Sequence, residues 1–167
     1  MEHQNREEGL ERLKLEFEGI SENEEFARVV TAVFMSRLNP TLEEVEDVKI
    51  AVSEAVTNAV VHGYGEKGGR IRMELKAQKA PEKKLVLSVE DWGKGIADVK
   101  KAMEPMFTTD TSGERSGMGF SFMEAFMDEV TVESEPQKGT RVLMEKRIGR
   151  GSYGRNHLFD QPCAPGR

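Results

Sequence analysis

Glu54 and Asn58 stand four residues apart in Ser53-Glu54-Ala55-Val56-Thr57-Asn58-Ala59, a spacing that places both side chains on one helical face, a turn apart. A carboxylate able to take a proton beside an amide oxygen able to ligate Mg²⁺ suits phosphate chemistry, because Mg²⁺ takes oxygen donors and keeps most of its waters. The same two residues also read as a solvated pair, although their flanks are Ala and Val. Asp91-Trp92-Gly93-Lys94-Gly95 follows directly on the alternating run Leu85, Leu87, Val89. There a carboxylate could accept a hydrogen bond from an exocyclic amine such as adenine's, while Gly93 and Gly95 let backbone pass flat against a ring; a tight turn uses the same residue types. The segment lacks the third glycine of a dinucleotide fingerprint. Further on, Arg115-Ser116-Gly117-Met118-Gly119 opens a helical pattern. Bare amides at a helix start with an arginine beside them make an anion site, and the alternative is a hinge. The stretch before it, with Thr108, Thr109, Thr111 and Ser112, has the composition of a lid.

These residues need elements to position them. Leu13-Lys14-Leu15-Glu16-Phe17 alternates as a half-buried strand. Ser21 with Glu24, and Thr41 with Glu44, have capping-box spacing and each predicts a helix start. The first helix carries Phe26, Val29, Val30, Val33 and Phe34 as its apolar positions and stops at Asn39-Pro40. The second runs to about His62, with Gly63 as its stop and Leu42, Val45, Val48, Val52, Ala55, Val56 and Ala59 on its buried side. Residues 70–77 and 84–90 pair as a hairpin, residues 97–103 allow a short helix, 117–127 predict another, and 130–134 with 140–148 predict a second hairpin. Paired helices and paired strands argue for an α+β fold, a two-layer sandwich whose mixed, mostly antiparallel sheet is covered by helices on one face. The chain divides into an acidic lead (1–12), one domain (13–148) and a Gly/Pro/Arg-containing tail (149–167) expected to be disordered.

Composition removes several classes. The chain's 24 basic and 30 acidic residues give a net charge of −6 with no Lys/Arg block, so direct nucleic-acid binding is not expected. The excess acidity lies in residues 1–25, with nine acids and three bases, while the remainder is balanced. One cysteine and three histidines offer neither an internal disulfide nor a clustered zinc ligand set, and a reducing, cytoplasmic setting fits. The opening residues lack the basic and apolar regions of a signal peptide, and no apolar run nears the ~20 residues of a membrane span. No membrane partner is expected.

Taken in order, the Glu/Asn helix, the strand-end Asp-x-Gly-x-Gly, the lid, the Gly-x-Gly helix start and Gly139-Thr140 entering the last strand resemble the nucleotide site of the GHKL ATPases, which include histidine kinases and type II topoisomerases. Within that superfamily, Ser21–Glu24, the run Ser53–Tyr64, Phe107-Thr108-Thr109, Glu114–Phe120 and Phe126–Val130 resemble the anti-sigma-F factors of endospore-forming bacteria, serine protein kinases that also hold a sigma factor. The likeness covers about residues 13–147. It implies ATP or ADP with Mg²⁺ as cofactors, and Glu54 as general base with Asn58 as the magnesium ligand. Asp91 with Gly93 and Gly95 would recognise adenine, with Thr140 near the base. Arg115, Gly117, Met118 and Gly119 would hold the phosphates beneath the Thr108–Thr109 lid. It further implies a homodimer whose partners are a sigma factor and an anti-anti-sigma protein substrate, with Arg28 a partner contact. Two neighbouring readings are a general-stress member of the same family and a nucleotide-gated binding module without kinase activity.

Overall fold

The structure, a computed structural model, describes residues 10–65, 67–104 and 119–149. Along the chain it forms β1 (Leu10–Glu18), α1 (Glu22–Met35), α2 (Leu42–Thr57), β2 (Arg70–Gln78), β3 (Lys84–Asp91), α3 (Val99–Ala102), α4 (Gly119–Phe126), β4 (Glu129–Glu135) and β5 (Gly139–Arg147). The five strands make one sheet in the order β1-β2-β3-β5-β4. Every pairing is antiparallel, more uniformly than the expected mixed sheet. Strand β1 begins at Leu10, so residues 10–12, expected in the lead, pair with Gln78, Ala77 and Lys76 of β2.

The period-2 alternation decides which face is covered. One cross-sheet row runs Leu15, Met73, Val89, Val142, Val132 and the next Leu13, Leu75, Leu87, Met144, Val130; both belong to the core or pack against it. Side chains in the rows between point outward, and there Glu16, Arg72, Glu90, Arg141 and Glu133 alternate in sign across all five strands. Helices α1 and α2 pack on each other, and α4 packs on α2. The core between helices and sheet is supplied from the helices by Ala27, Phe34, Met35, Val48, Ala51, Val52, Ala55, Val56 and Met123.

Helix α2 starts as expected: the Thr41 hydroxyl accepts from the Glu44 amide at 3.2 Å and the Glu44 carboxylate accepts from the Thr41 amide at 2.8 Å. Glu44 also accepts from the Gly149 amide at 2.8 Å, which ties the end of the sheet to this cap. Thr41→Ala is expected to cost ~1 kcal/mol and to lower the melting temperature by about 2–4 °C, measurable by calorimetry. The expected cap at Ser21 does not form, because Ser21 is itself helical and its side chain makes no capping bond. Glu24 is used elsewhere, as described below.

The buried face of α1 also differs from expectation. Ala27, Thr31, Phe34 and Met35 are buried, whereas Phe26, Val29 and Val33 are 50%, 53% and 65% exposed, and Leu42 at the head of α2 is 77% exposed. The helix is apolar on two sides, and the side carrying the small Ala27 and the Thr31 hydroxyl, which back-bonds to the Ala27 carbonyl at 2.8 Å, lies on the sheet. Helix α2 does continue to Gly63, but over Asn58–Gly63 it widens into a π-helical turn. Single π turns of this kind are frequent at functional sites.

Candidate active site

Helix α2 presents Glu54 and Asn58 toward the start of α4. A β-carbon added at Gly119 would lie 3.1 Å from Glu54 Oε2 and 3.3 Å from both terminal atoms of the Asn58 amide. Gly119 thus lets α4 begin directly against the carboxylate and the amide. Burial pushes the Glu54 proton affinity up, and the neighbouring Glu24 carboxylate adds to the effect. Glu24, on the first turn of α1, accepts a hydrogen bond from Ser53 and pairs with Arg28 at 3.0 Å. Arg28 is therefore not a freely solvated charge: it balances a carboxylate that stands beside Glu54. Nothing in the spacing of the sequence pointed to Glu24 or Ser53 at this site, since their contact joins two helices.

The π turn carries the chain from Asn58 to the second group. At its end, a β-carbon on Gly63 would lie 2.9 Å from Asp91 Oδ1, so the glycine admits the carboxylate as well as ending the helix. Asp91 is the last residue of β3 and only 5% exposed. Desolvation holds its carboxyl above the ordinary range, opposed by hydrogen bonding from the Gly93 and Thr140 backbones; the Gly93 amide donates to Oδ1 at 2.8 Å. Thr140 is the cross-strand partner of Asp91 on β5.

The turn after Asp91 is clamped on both sides. A β-carbon on Gly93 would meet the Gly63 carbonyl oxygen at 2.2 Å, and that same oxygen accepts from the Lys94 amide at 3.0 Å. Gly95 has φ +68° and its missing β-carbon would fall 2.0 Å from the Glu135 carbonyl oxygen. Both glycines are required by close backbone approach, and Gly95 by its left-handed conformation as well. Sequence reasoning missed two further holders of this turn. Tyr64 accepts from the Trp92 amide at 2.9 Å and donates to the Arg70 carbonyl, while the Ser134 hydroxyl accepts from the Ile96 amide at 2.8 Å and lies 2.9 Å from Thr140 Oγ1. A tyrosine in Gly-Tyr-Gly and a serine near a hairpin give no local signal of that role.

The structure therefore brings Glu54, Asn58 and Gly119 together at one end of a helical turn and Asp91, Gly93, Gly95 and Thr140 at the other. Thr108, Thr109, Arg115, Gly117 and Met118 lie outside the described residues. Among the described residues no group of three or more His, Cys, Asp or Glu side chains is placed to hold a metal ion. A cation here would draw on the oxygens of Asn58 and Glu54 and on phosphate and water for the rest, which is how Mg²⁺ is usually held beside a nucleotide. The donor set fits.

Residues 21–146 match the histidine kinase-like ATPase domain family. The chain is 52% identical over 137 residues to the anti-sigma F factor of Clostridium acetobutylicum, covering 82% of this chain and 94% of that one. The chain belongs to the anti-sigma F factor family. A second family member, from Caldanaerobacter subterraneus subsp. tengcongensis, is 51% identical over 138 residues, covering 83% and 94%. Among solved structures, the RsbU and RsbW domains of a Mycobacterium tuberculosis protein superpose with a TM-score of 0.58 at 18% identity over 83% of this chain and 32% of that structure, a likeness of fold. Both family members are matched over 94% of their length, and residues 21–146, which match the domain family, hold every described residue of the site. Nucleotide binding follows from the family's ATPase fold. No helix among the described residues is long and apolar enough to cross a membrane.

Proposed function

We propose that this chain is an ATP- and Mg²⁺-dependent serine kinase that phosphorylates an anti-anti-sigma protein and, as a homodimer, holds a sporulation sigma factor. The observation that carries the reading is the meeting of the Glu54 carboxylate and the Asn58 amide at Gly119. Phosphoryl transfer depends on positioning and charge neutralisation more than on covalent chemistry by the protein. Asn58 would hold Mg²⁺, which when bound neutralises charge on the phosphates and orients them. Asp91 would accept the adenine amine while Gly93 and Gly95 lie against the ring, and Arg115, Gly117, Met118 and Gly119 would enclose the phosphates under Thr108 and Thr109. Glu54, half-buried and with its proton affinity raised, would take the proton of the substrate serine hydroxyl.

The partner side of the reading rests on α1. Phe26, Val29 and Val33 form an exposed apolar stripe, while Arg28 lies on another side of the helix, paired with Glu24. An uncovered stripe of that kind on a small protein marks a protein contact, which supports a dimer and a partner surface on this helix.

The test is to incubate the purified chain with Mg²⁺, ATP labelled in its γ-phosphate and an anti-anti-sigma protein, and separately to co-purify it with a sporulation sigma factor. Label is expected on a serine of the substrate protein, and the sigma factor is expected to be retained. Nucleotide binding with no label transferred would overturn the kinase reading and leave a nucleotide-gated binding module.

A further inference from the structure

Lys146 is a charged residue in a position built for an apolar one. It shares the inward face of β5 with Val142 and Met144 and is fully buried, at 0% exposure. Its ammonium donates to Asp47 Oδ2 at 2.5 Å and to the Phe126 carbonyl oxygen at 2.7 Å. A buried ion pair of this sort is often no more stabilising than well-packed apolar side chains of the same volume. Overall stability therefore does not explain why a lysine stands here, and what it touches does.

Asp47 is on the first half of α2, and Phe126 is the last residue of α4. The other end of α4, Gly119, lies against Glu54 on the second half of α2. Helix α4 therefore lies antiparallel along α2, pinned at both ends. Glu54 stands seven positions after Asp47 and Phe126 seven after Gly119, a span of roughly 10 Å on each helix at ~1.5 Å per residue. The two pins match only in one register. The ammonium also sits at the C-terminal end of α4, where a cation favours the last free carbonyls. Just beyond, the Asp128 carboxylate accepts from the Arg147 amide at 2.7 Å and the Asp128 amide donates to the Glu145 carbonyl at 2.9 Å, so the turn after the helix is fastened to the same strand.

We infer that Lys146, with Asp47, is a positioning residue that sets the axial register of α4 on α2 and thereby holds Gly119 against Glu54 and Asn58. The lysine touches no reacting group. It acts through α4, and its importance to nucleotide handling rests on the function proposed above, whereas its hold on the helix does not. A slip of one residue would move Gly119 by ~1.5 Å, and misplacements of ~1 Å at reacting groups can cost roughly a hundredfold.

The test compares the full chain with Lys146→Met and with Asp47→Leu/Lys146→Met, which replaces the buried pair by apolar side chains. Hydrogen exchange of the α4 amides is read against the β3 amides as an internal measure of global stability, and MgADP affinity is measured in parallel. In both variants α4 exchange is expected to rise beyond any change in β3, and MgADP to bind about tenfold more weakly, the size of roughly one misaligned hydrogen bond. Exchange in α4 that rises only in step with β3 would make the lysine a packing element and overturn the inference. Should either variant fail to fold, Asp47→Asn, which keeps an oxygen for the lysine but removes the charge, answers by the same comparison. A wild-type chain that binds no MgADP would instead overturn the proposed function, leaving the exchange result to decide the register claim.

Discussion

Glu54→Gln is expected to lower phosphoryl transfer by roughly 10²–10⁴-fold, the range a positioned general base contributes, while MgATP still binds. Glutamine keeps the volume and an oxygen beside Asn58 and Gly119 but cannot take a proton from the serine hydroxyl. The pH profile carries a second, separate signature. Burial and then the Glu24 charge raise the Glu54 pKa, so transfer by the wild type should fail as pH drops through that raised value, above the usual carboxylate range. Stability moves with it by linkage. The folded protein holds the Glu54 proton more tightly than the unfolded chain does, so the ionised carboxylate opposes folding; the penalty is complete above the folded pKa and vanishes below the unfolded one. Glu54→Gln should therefore melt higher than wild type at neutral pH, with the gap closing as pH is lowered through the folded pKa. Single-turnover transfer assays and melting curves, taken from neutral pH down past the ordinary glutamate range, measure both. Full transfer by Glu54→Gln would mean that another group is the base, and a melting gap independent of pH would mean that Glu54 is not desolvated.

Much of this site could be read from residue types and spacing because its parts are local. The Glu54/Asn58 pair lies within one helix, Asp91-x-Gly-x-Gly within one strand end, and the Thr41/Glu44 cap within four residues. What could not be read is what tertiary contact decides. The Ser21/Glu24 spacing matches that of Thr41/Glu44, yet only the second forms a cap, since Glu24 is taken by Ser53 and Arg28 from across and along the helices. Helix α1 offers two apolar faces, and periodicity cannot say which one meets the sheet. Gly63 looks like a helix stop and is also the gap that admits Asp91. Alternation puts Lys146 on the inward row of β5 with Val142 and Met144, but its partners there, Asp47 and Phe126, come from two other elements. Identity of residues was legible, and their contacts between elements were not.

The π turn of Asn58–Gly63 joins the two halves of the site. Its near end carries the amide proposed to hold Mg²⁺, and its far end carries Gly63, whose carbonyl accepts from Lys94 and whose missing side chain makes room for Asp91. Phosphate and base ends of a bound nucleotide would thus be gripped by one short helical segment rather than by separate loops. The Tyr64 hydroxyl, at the next residue, locks that segment to Trp92.

Asp91→Asn tests the base end and should have the second large effect. The Asp91 carboxylate is nearly buried and already takes the Gly93 amide at 2.8 Å, and an ionised carboxylate has acceptor capacity for about four hydrogen bonds, leaving room for an exocyclic amine. Asparagine has the same shape and can keep its oxygen toward Gly93, but then it turns an amide N–H₂ toward the adenine amine, donor against donor. The expected loss is at least about a hundredfold in ATP affinity, ~3 kcal/mol, the size of a charged hydrogen bond exchanged for an unsatisfied donor. Weaker binding alone would also follow from a damaged loop, so the comparison that matters is ATP against inosine triphosphate, which carries an acceptor oxygen where adenine carries the amine. Wild type should prefer ATP strongly, and Asp91→Asn should lose that preference or reverse it. The folded protein also holds the Asp91 carboxyl above its ordinary range, so removing the charge relieves a desolvation penalty, and the ligand-free variant should melt no lower than wild type at neutral pH. An unchanged ratio of ATP to inosine triphosphate affinity in a stably folded Asp91→Asn chain would show that this carboxylate does not read the amine. A collapsed ratio with undiminished stability would separate recognition from support of the Gly93–Gly95 turn, because only the first depends on which group asparagine presents to the ring.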